Sequence, residues 1–148
     1  MPETEKRAVL VDAEEQSRII RTLLTWFNAT ELPVDKMDYE YLPEEEGLSM
    51  ATETSAHKTR QYLLGGYEAE YVFRIIYRSM AENTDQRLAM DEDLNAIGAW
   101  AETTALPDFG SNIHPKRLRR NTPSAIVARY DDGTEDHQLS MTLLYEVI

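Results

Sequence analysis

The chain contains no cysteine. Disulfides, thiolate catalysis and cysteine-based zinc sites are thereby excluded. No apolar run approaches the roughly eighteen residues that a membrane-spanning helix requires, so no membrane partner is expected. The segment from Met1 to Arg7 lacks the basic start, apolar stretch and cleavage site of a secretory signal. Residence in the cytoplasm of the producing cell is the resulting expectation. Positive charge is also scarce: 15 Lys and Arg stand against 27 Asp and Glu, for a formal net charge of −12. That balance disfavours binding to a phosphate backbone as a global property, and nucleic acid is not expected as a partner.

With 148 residues, of which 42% are hydrophobic and 28% charged, the chain is long enough to bury a core and short for two domains. A single domain over residues 1–148 is expected, with residues 1–11 as a flexible N-terminus. A helical pattern begins near Asp12: Ile19, Ile20, Leu23, Leu24 and Phe27 form one stripe, with Glu14, Glu15, Arg18 and Arg21 mostly outside it. The segment from Asn28 to Pro33 ends this helix, because proline cannot continue the hydrogen-bond ladder.

Asp38 to Leu42 alternates charged and aromatic residues as a short strand, closed by Pro43 and a loop of Glu44, Glu45, Glu46 and Gly47. Leu48–Thr54 and His57–Leu64 are two weaker strand candidates, followed by a turn at Gly65 and Gly66. The clearest strand starts there, with Tyr67, Ala69, Tyr71, Phe73, Ile75 and Tyr77 on one face. Asn83 and Gln86 have the spacing of a capping box for a second helix reaching about Thr103, its buried stripe being Met90, Leu94, Ile97 and Ala101. Leu106 to Gly110 breaks that helix. A basic loop over residues 111–123 is expected next, then strands Ser124–Asp131 and His137–Val147 joined by an Asp-Gly turn. The predicted fold class is α+β: an antiparallel-rich or mixed β-sheet with two main α-helices packed on one face.

Candidate chemistry is sparse. His57, His114 and His137 are widely spaced, with no pair at helical i, i+4 spacing, so surface or half-buried histidines are expected rather than a metal site. The carboxylate groups at Glu44–Glu46, Asp91/Asp93 and Asp131/Asp132 have no calcium-loop pattern around them and are expected on solvated faces. The paired glycines lack the lysine of a phosphate loop, and no nucleophile elbow is present. Neither enzymatic activity nor a cofactor is expected.

One composition stands out. Lys116, Arg117, Arg119 and Arg120 place four cations within five residues of an acidic chain. Three uses are open: contact with nucleic acid, pairing with an acidic surface of a neighbouring subunit, or a solvated loop. Glu44, Glu45 and Glu46 are the acidic counterpart chosen by charge. Head-to-tail pairing of unlike surfaces suits a ring.

The order of pieces resembles the tail terminator, or tail completion, family of long-tailed bacteriophages, often labelled minor capsid protein. The resembling pieces are the N-terminal amphipathic helix, Asp38 to Pro43 with its following glycine, and the long strand Tyr71–Arg78. Further along they are the helical segment Leu94–Trp100, the turn Leu106–Gly110 and the closing strand Leu139–Tyr145. The resemblance covers roughly residues 15–148, and the segment 112–122 departs from it. It implies a structural protein that forms a homo-hexameric ring on the tail tube, stops tail polymerisation and meets a head completion or neck protein. The implied partners are thus itself, the tail tube protein and the neck protein, and the implied location is host cytoplasm during assembly, then the virion tail. Another neck or head-tail connector protein is the near alternative, and an acidic DNA-mimic inhibitor a more distant one.

Overall fold

A computed structural model describes residues 9–110 and 112–148. In chain order the elements are β1 (Val9–Leu10), α1 (Ala13–Asn28), β2 (Met37–Tyr39), β3 (Gly47–Gln61), β4 (Tyr67–Met80), α2 (Thr84–Thr103), β5 (Ile113–Arg129) and β6 (Thr134–Val147). The strands form one sheet in the order β1-β3-β4-β6-β5, with β2 beside β3. Every pairing is antiparallel except that of β2 with β3. The fold is α+β, as the alternation of the strands and the helical stripes predict.

Both helices cover the same sheet face, and Trp26 of α1 meets Trp100 of α2 with ring centroids 4.4 Å apart. Asp12 caps α1 by accepting from Glu15 N at 2.8 Å, satisfying one of the otherwise orphaned first-turn amides. Ile19, Leu23 and Phe27 are fully buried, each contributing about 1.5–3 kcal/mol by area removed from water. At the other end, the Asn28 side chain donates to Leu24 O and Met37 O and accepts from Met37 N, splicing the helix terminus to β2. Across the sheet the core continues through Tyr71, Phe73 and Ile75 of β4 and Leu139, Met141 and Leu143 of β6. Their register pairs Tyr71 with Leu143, Phe73 with Met141 and Ile75 with Leu139.

Several expectations need correction. The two weak strand candidates are one strand, β3, whose register shifts between Thr52 and Thr54, Thr54 and His57, and Lys58 and Arg60. Each bulge interrupts the two-residue period that marks a strand in sequence. The short strand at Asp38–Leu42 is Met37–Tyr39 instead, and ends where Glu40 takes a left-handed φ of 52°. Of the flexible N-terminus expected over residues 1–11, residues 1–8 lie outside the described residues. Val9 and Leu10 pair with Lys58 and His57, and Val11 N bonds to Ala56 O.

The largest correction is the basic loop. Residues 113–129 are a single strand, β5, at the edge of the sheet. Register shifts between Pro115 and Arg117, Arg120 and Thr122, Thr122 and Ala125, and Ile126 and Ala128 scramble its alternation. Pro115 and Pro123 suit an edge strand, whose outer backbone groups have no neighbour to serve.

Candidate functional site

The strand position of the basic cluster decides what each cation does. Leu118 is buried opposite Leu143 on the helix-covered face, so Arg117 and Arg119, opposite Leu144 and Thr142, project from the uncovered face. Lys116 reaches Glu68 at 3.1 Å and Glu146 at 3.5 Å. The hydrogen bond to Glu68 holds the Lys116 ammonium above its ordinary value and the Glu68 carboxyl below its own. Arg120 turns toward α2, where Nε meets Glu102 Oε1 at 2.7 Å and Nη1 donates to Asn95 O at 3.3 Å. Two of the four cations are therefore consumed within the fold. Arg117 and Arg119 are exposed and form no ion pair among the described residues.

Glu44, Glu45 and Glu46 are exposed on the loop before β3 and also form no ion pair among the described residues. The loop is fixed rather than loose: Arg78 Nη1 donates to Pro43 O at 3.2 Å and Tyr41 N to Ser49 Oγ at 3.2 Å. The structure does not bring the triplet and the arginines together. Gly47 is in register with Arg78 and Arg78 with Asp136, whereas Arg119 is in register with Thr142 further along β6. At about 3.3 Å per residue along a strand and about 4.8 Å between strands, more than about 20 Å separates them. Contact between the two groups requires a second molecule.

A second polar cluster escaped sequence reasoning. His137 is fully buried, against the expectation of surface or half-buried histidines. Its Nδ1 lies 2.8 Å from Asp91 Oδ1 and its Nε2 3.1 Å from Glu135 Oε1. Each ring nitrogen therefore has a carboxylate oxygen within hydrogen-bond reach. Asp91 also accepts from Ser124 Oγ at 2.6 Å, and Asn95 Oδ1 from Ser124 N at 2.9 Å. Arg87 Nε sits 2.6 Å from Glu135 Oε2. Burial pushes the Glu135 carboxyl up, but hydrogen bonds from Arg87 and His137 outweigh it and hold the group below its ordinary value.

Serine, aspartate and histidine here do not form a nucleophilic triad. Ser124 donates to the aspartate rather than to the histidine, and the far imidazole nitrogen is occupied by Glu135. The cluster latches α2 onto β5 and β6. Its members lie on three elements and carry no shared spacing, so no local pattern in the sequence hints at it. Beside it, Asp136 binds Arg78 at 2.7 Å and Tyr130 Oη at 2.7 Å. Burial raises that carboxyl too, and the Arg78 and Tyr130 hydrogen bonds bring it below its ordinary value.

No protein-family model matches the chain, and no curated protein matches it.

Proposed function

We propose that this is a structural protein that associates head to tail, each copy joining unlike surfaces of its neighbours. More particularly, it acts as the tail terminator of a long-tailed bacteriophage, a ring that caps the tail tube and hands it to the neck. The observation that carries this reading is the separation of Arg117 and Arg119 from Glu44–Glu46: opposite charges, both exposed, neither in an ion pair among the described residues. A heterologous contact between them closes into a ring when its rotation is a whole fraction of a turn. A ring whose lower face matches the tube and whose upper face accepts no further tube ring ends a stack that otherwise grows without limit.

In this reading the protein is made in the host cytoplasm and ends in the virion tail, its partners being other copies of itself, the tube protein and a neck protein. It performs no catalysis and carries no cofactor. The test is electron microscopy of lysates from the producing phage with the gene deleted. Full heads beside unattached tails of irregular or excessive length are expected. Normal infectious virions would overturn the proposal. Complementation with Arg117→Glu/Arg119→Glu is expected to restore attachment poorly, and better when Glu44, Glu45 and Glu46 are changed to lysine in the same chain.

A further inference from the structure

The turn between β3 and β4 presents two leucines to solvent for no reason internal to the fold. Leu63 and Leu64 are completely exposed, at 103% and 102% relative accessibility. They occupy the two central positions of a turn closed by Gly65 N bonding to Tyr62 O, with Tyr62 N bonding to Gly66 O. Gly65 and Gly66 carry φ values of 95° and 83°, so the glycines meet the backbone demand of the turn. The central positions favour proline, aspartate, asparagine, serine or glycine, and gain nothing from leucine.

The turn is held firmly. Gln61 Nε2 donates to Gly66 O at 2.9 Å, and Tyr62 Oη donates to Glu146 Oε2 at 2.9 Å. Cations flank it on both faces of the hairpin. Lys58, opposite the buried Ala69, lies over the Tyr67 ring, and Arg60 is exposed opposite Glu68. The result is a rigid apolar knob whose collar carries Lys58 and Arg60 beside Glu68 and Glu146.

The far end of the molecule carries a partly apolar cavity. A cavity of about 410 Å³ is floored by Leu32, Pro33, Ile97 and Trp100 and rimmed by Glu31 and Asp93. Both rim carboxylates are exposed and form no ion pair among the described residues. The cavity follows the C-terminal end of α1, where Asn28 is tied to Met37 and Met37 is paired with Leu48. The knob lies at the other end of β3, beyond Gln61, roughly 40 Å away at about 3.3 Å per strand residue. No single chain can place its own knob in its own cavity.

We propose that the Leu63–Leu64 turn of one copy docks into the Leu32/Ile97/Trp100 cavity of the next, with Arg60 and Lys58 facing Glu31 and Asp93. Knob and cavity are different surfaces of one molecule, so the contact is heterologous and propagates from copy to copy. It concerns this chain alone and stands without the virion reading.

Sedimentation velocity over a concentration series up to millimolar tests it. The wild-type chain is expected to grow in mass with concentration, and less so in high salt. Leu63→Ser/Leu64→Ser should weaken association by about tenfold or more for each leucine. Ala96→Arg, which fills the exposed rim of the cavity, should do the same while helix content by circular dichroism stays constant. Mixing the two variants is decisive, because each supplies the half that the other lacks: a one-to-one heterodimer is expected that grows no further. A wild-type chain that remains monomeric, association that survives both variants, or a mixture that forms no heterodimer overturns the proposal. Leucine-dependent flotation with phosphatidylserine vesicles by a monomeric chain would also overturn it and assign the knob to a lipid surface.

Discussion

Helices α1 and α2 lie on the same face of the same sheet and are held there by different physics. α1 is seated mainly by apolar side chains: Ile19, Leu23 and Phe27 disappear completely from solvent, and Phe27 packs edge-on against Phe73 of β4, while Glu15 adds one charged anchor by accepting from Tyr67 Oη and Tyr145 Oη. α2 buries Met90, Leu94, Ile97 and Ala101, but flanks that stripe with Arg87, Asp91, Asn95 and Glu102, each bonded to β5 or β6. Gly98 lets it lie close, since a Cβ there would sit 2.5 Å from Arg120 Cδ and 3.2 Å from Leu139 Cδ2. Apolar seating tolerates changes of pH and salt, whereas the polar latch depends on protonation and on each partner being in place. The helix nearest the basic edge strand, with four polar anchors, is therefore the one whose attachment solution conditions alter more.

The largest expected effect lies on the apolar side. Phe27→Ala should cost about 3–5 kcal/mol in urea unfolding, because it removes a fully buried ring and leaves a cavity between α1 and the sheet. A loss below about 1 kcal/mol would mean that α1 is not seated as described. On the latch side, Asp91→Ala leaves the Ser124 hydroxyl and the buried Nδ1 of His137 without their acceptor. The expected cost is about 1–3 kcal/mol, read from the same unfolding curves.

The smallest effect separates the helices most cleanly. Glu135, which faces Arg87 of α2, Arg129 of β5 and its neighbour His137, is held below its ordinary value in the fold. A carboxyl depressed by folding contributes stability that is present above its unfolded value and is lost as pH falls through the folded one. Amide exchange followed during acidification should therefore show α2 losing protection at a higher pH than α1. Glu135→Gln should narrow that gap, and simultaneous loss in the wild-type chain would show that the two helices open as one unit.

These two modes of attachment also explain what was legible in the sequence. The stripe of α1 repeats every turn within one segment, and so does that of α2, so the order of residues alone reveals both helices and the side chains they bury. The alternation of β4 is visible for the same reason. Strands β3 and β5 are legible only in part, β3 as two separate pieces and β5 only from Ser124 onward, because their bulges shift the register by a residue at several points, and a strand without a steady period resembles a loop. Composition marks the basic cluster, but its division follows from strand alternation around Leu118 for Arg117, Arg119 and Arg120 and from the bulge between Pro115 and Arg117 for Lys116, both of which the loop expectation hid. The latch joins Asp91, Ser124 and His137 across three elements, and no local spacing announces such a meeting.

The strand order has a further consequence for how the chain reaches this state. β3 with β4 and β5 with β6 are hairpins whose strands are joined by short turns, so each closes from neighbouring residues. The pairing of β4 with β6 alone joins the two, matching Tyr67 to Val147 and Met80 to Thr134 across all of α2 and β5. Such a distant pairing forms slowly, after the local hairpins, and sets the pace at which the sheet is completed. Two chains that trade their β5–β6 hairpins across that seam rebuild the same sheet twice over, which makes the stretch containing α2 the hinge of an exchanged dimer.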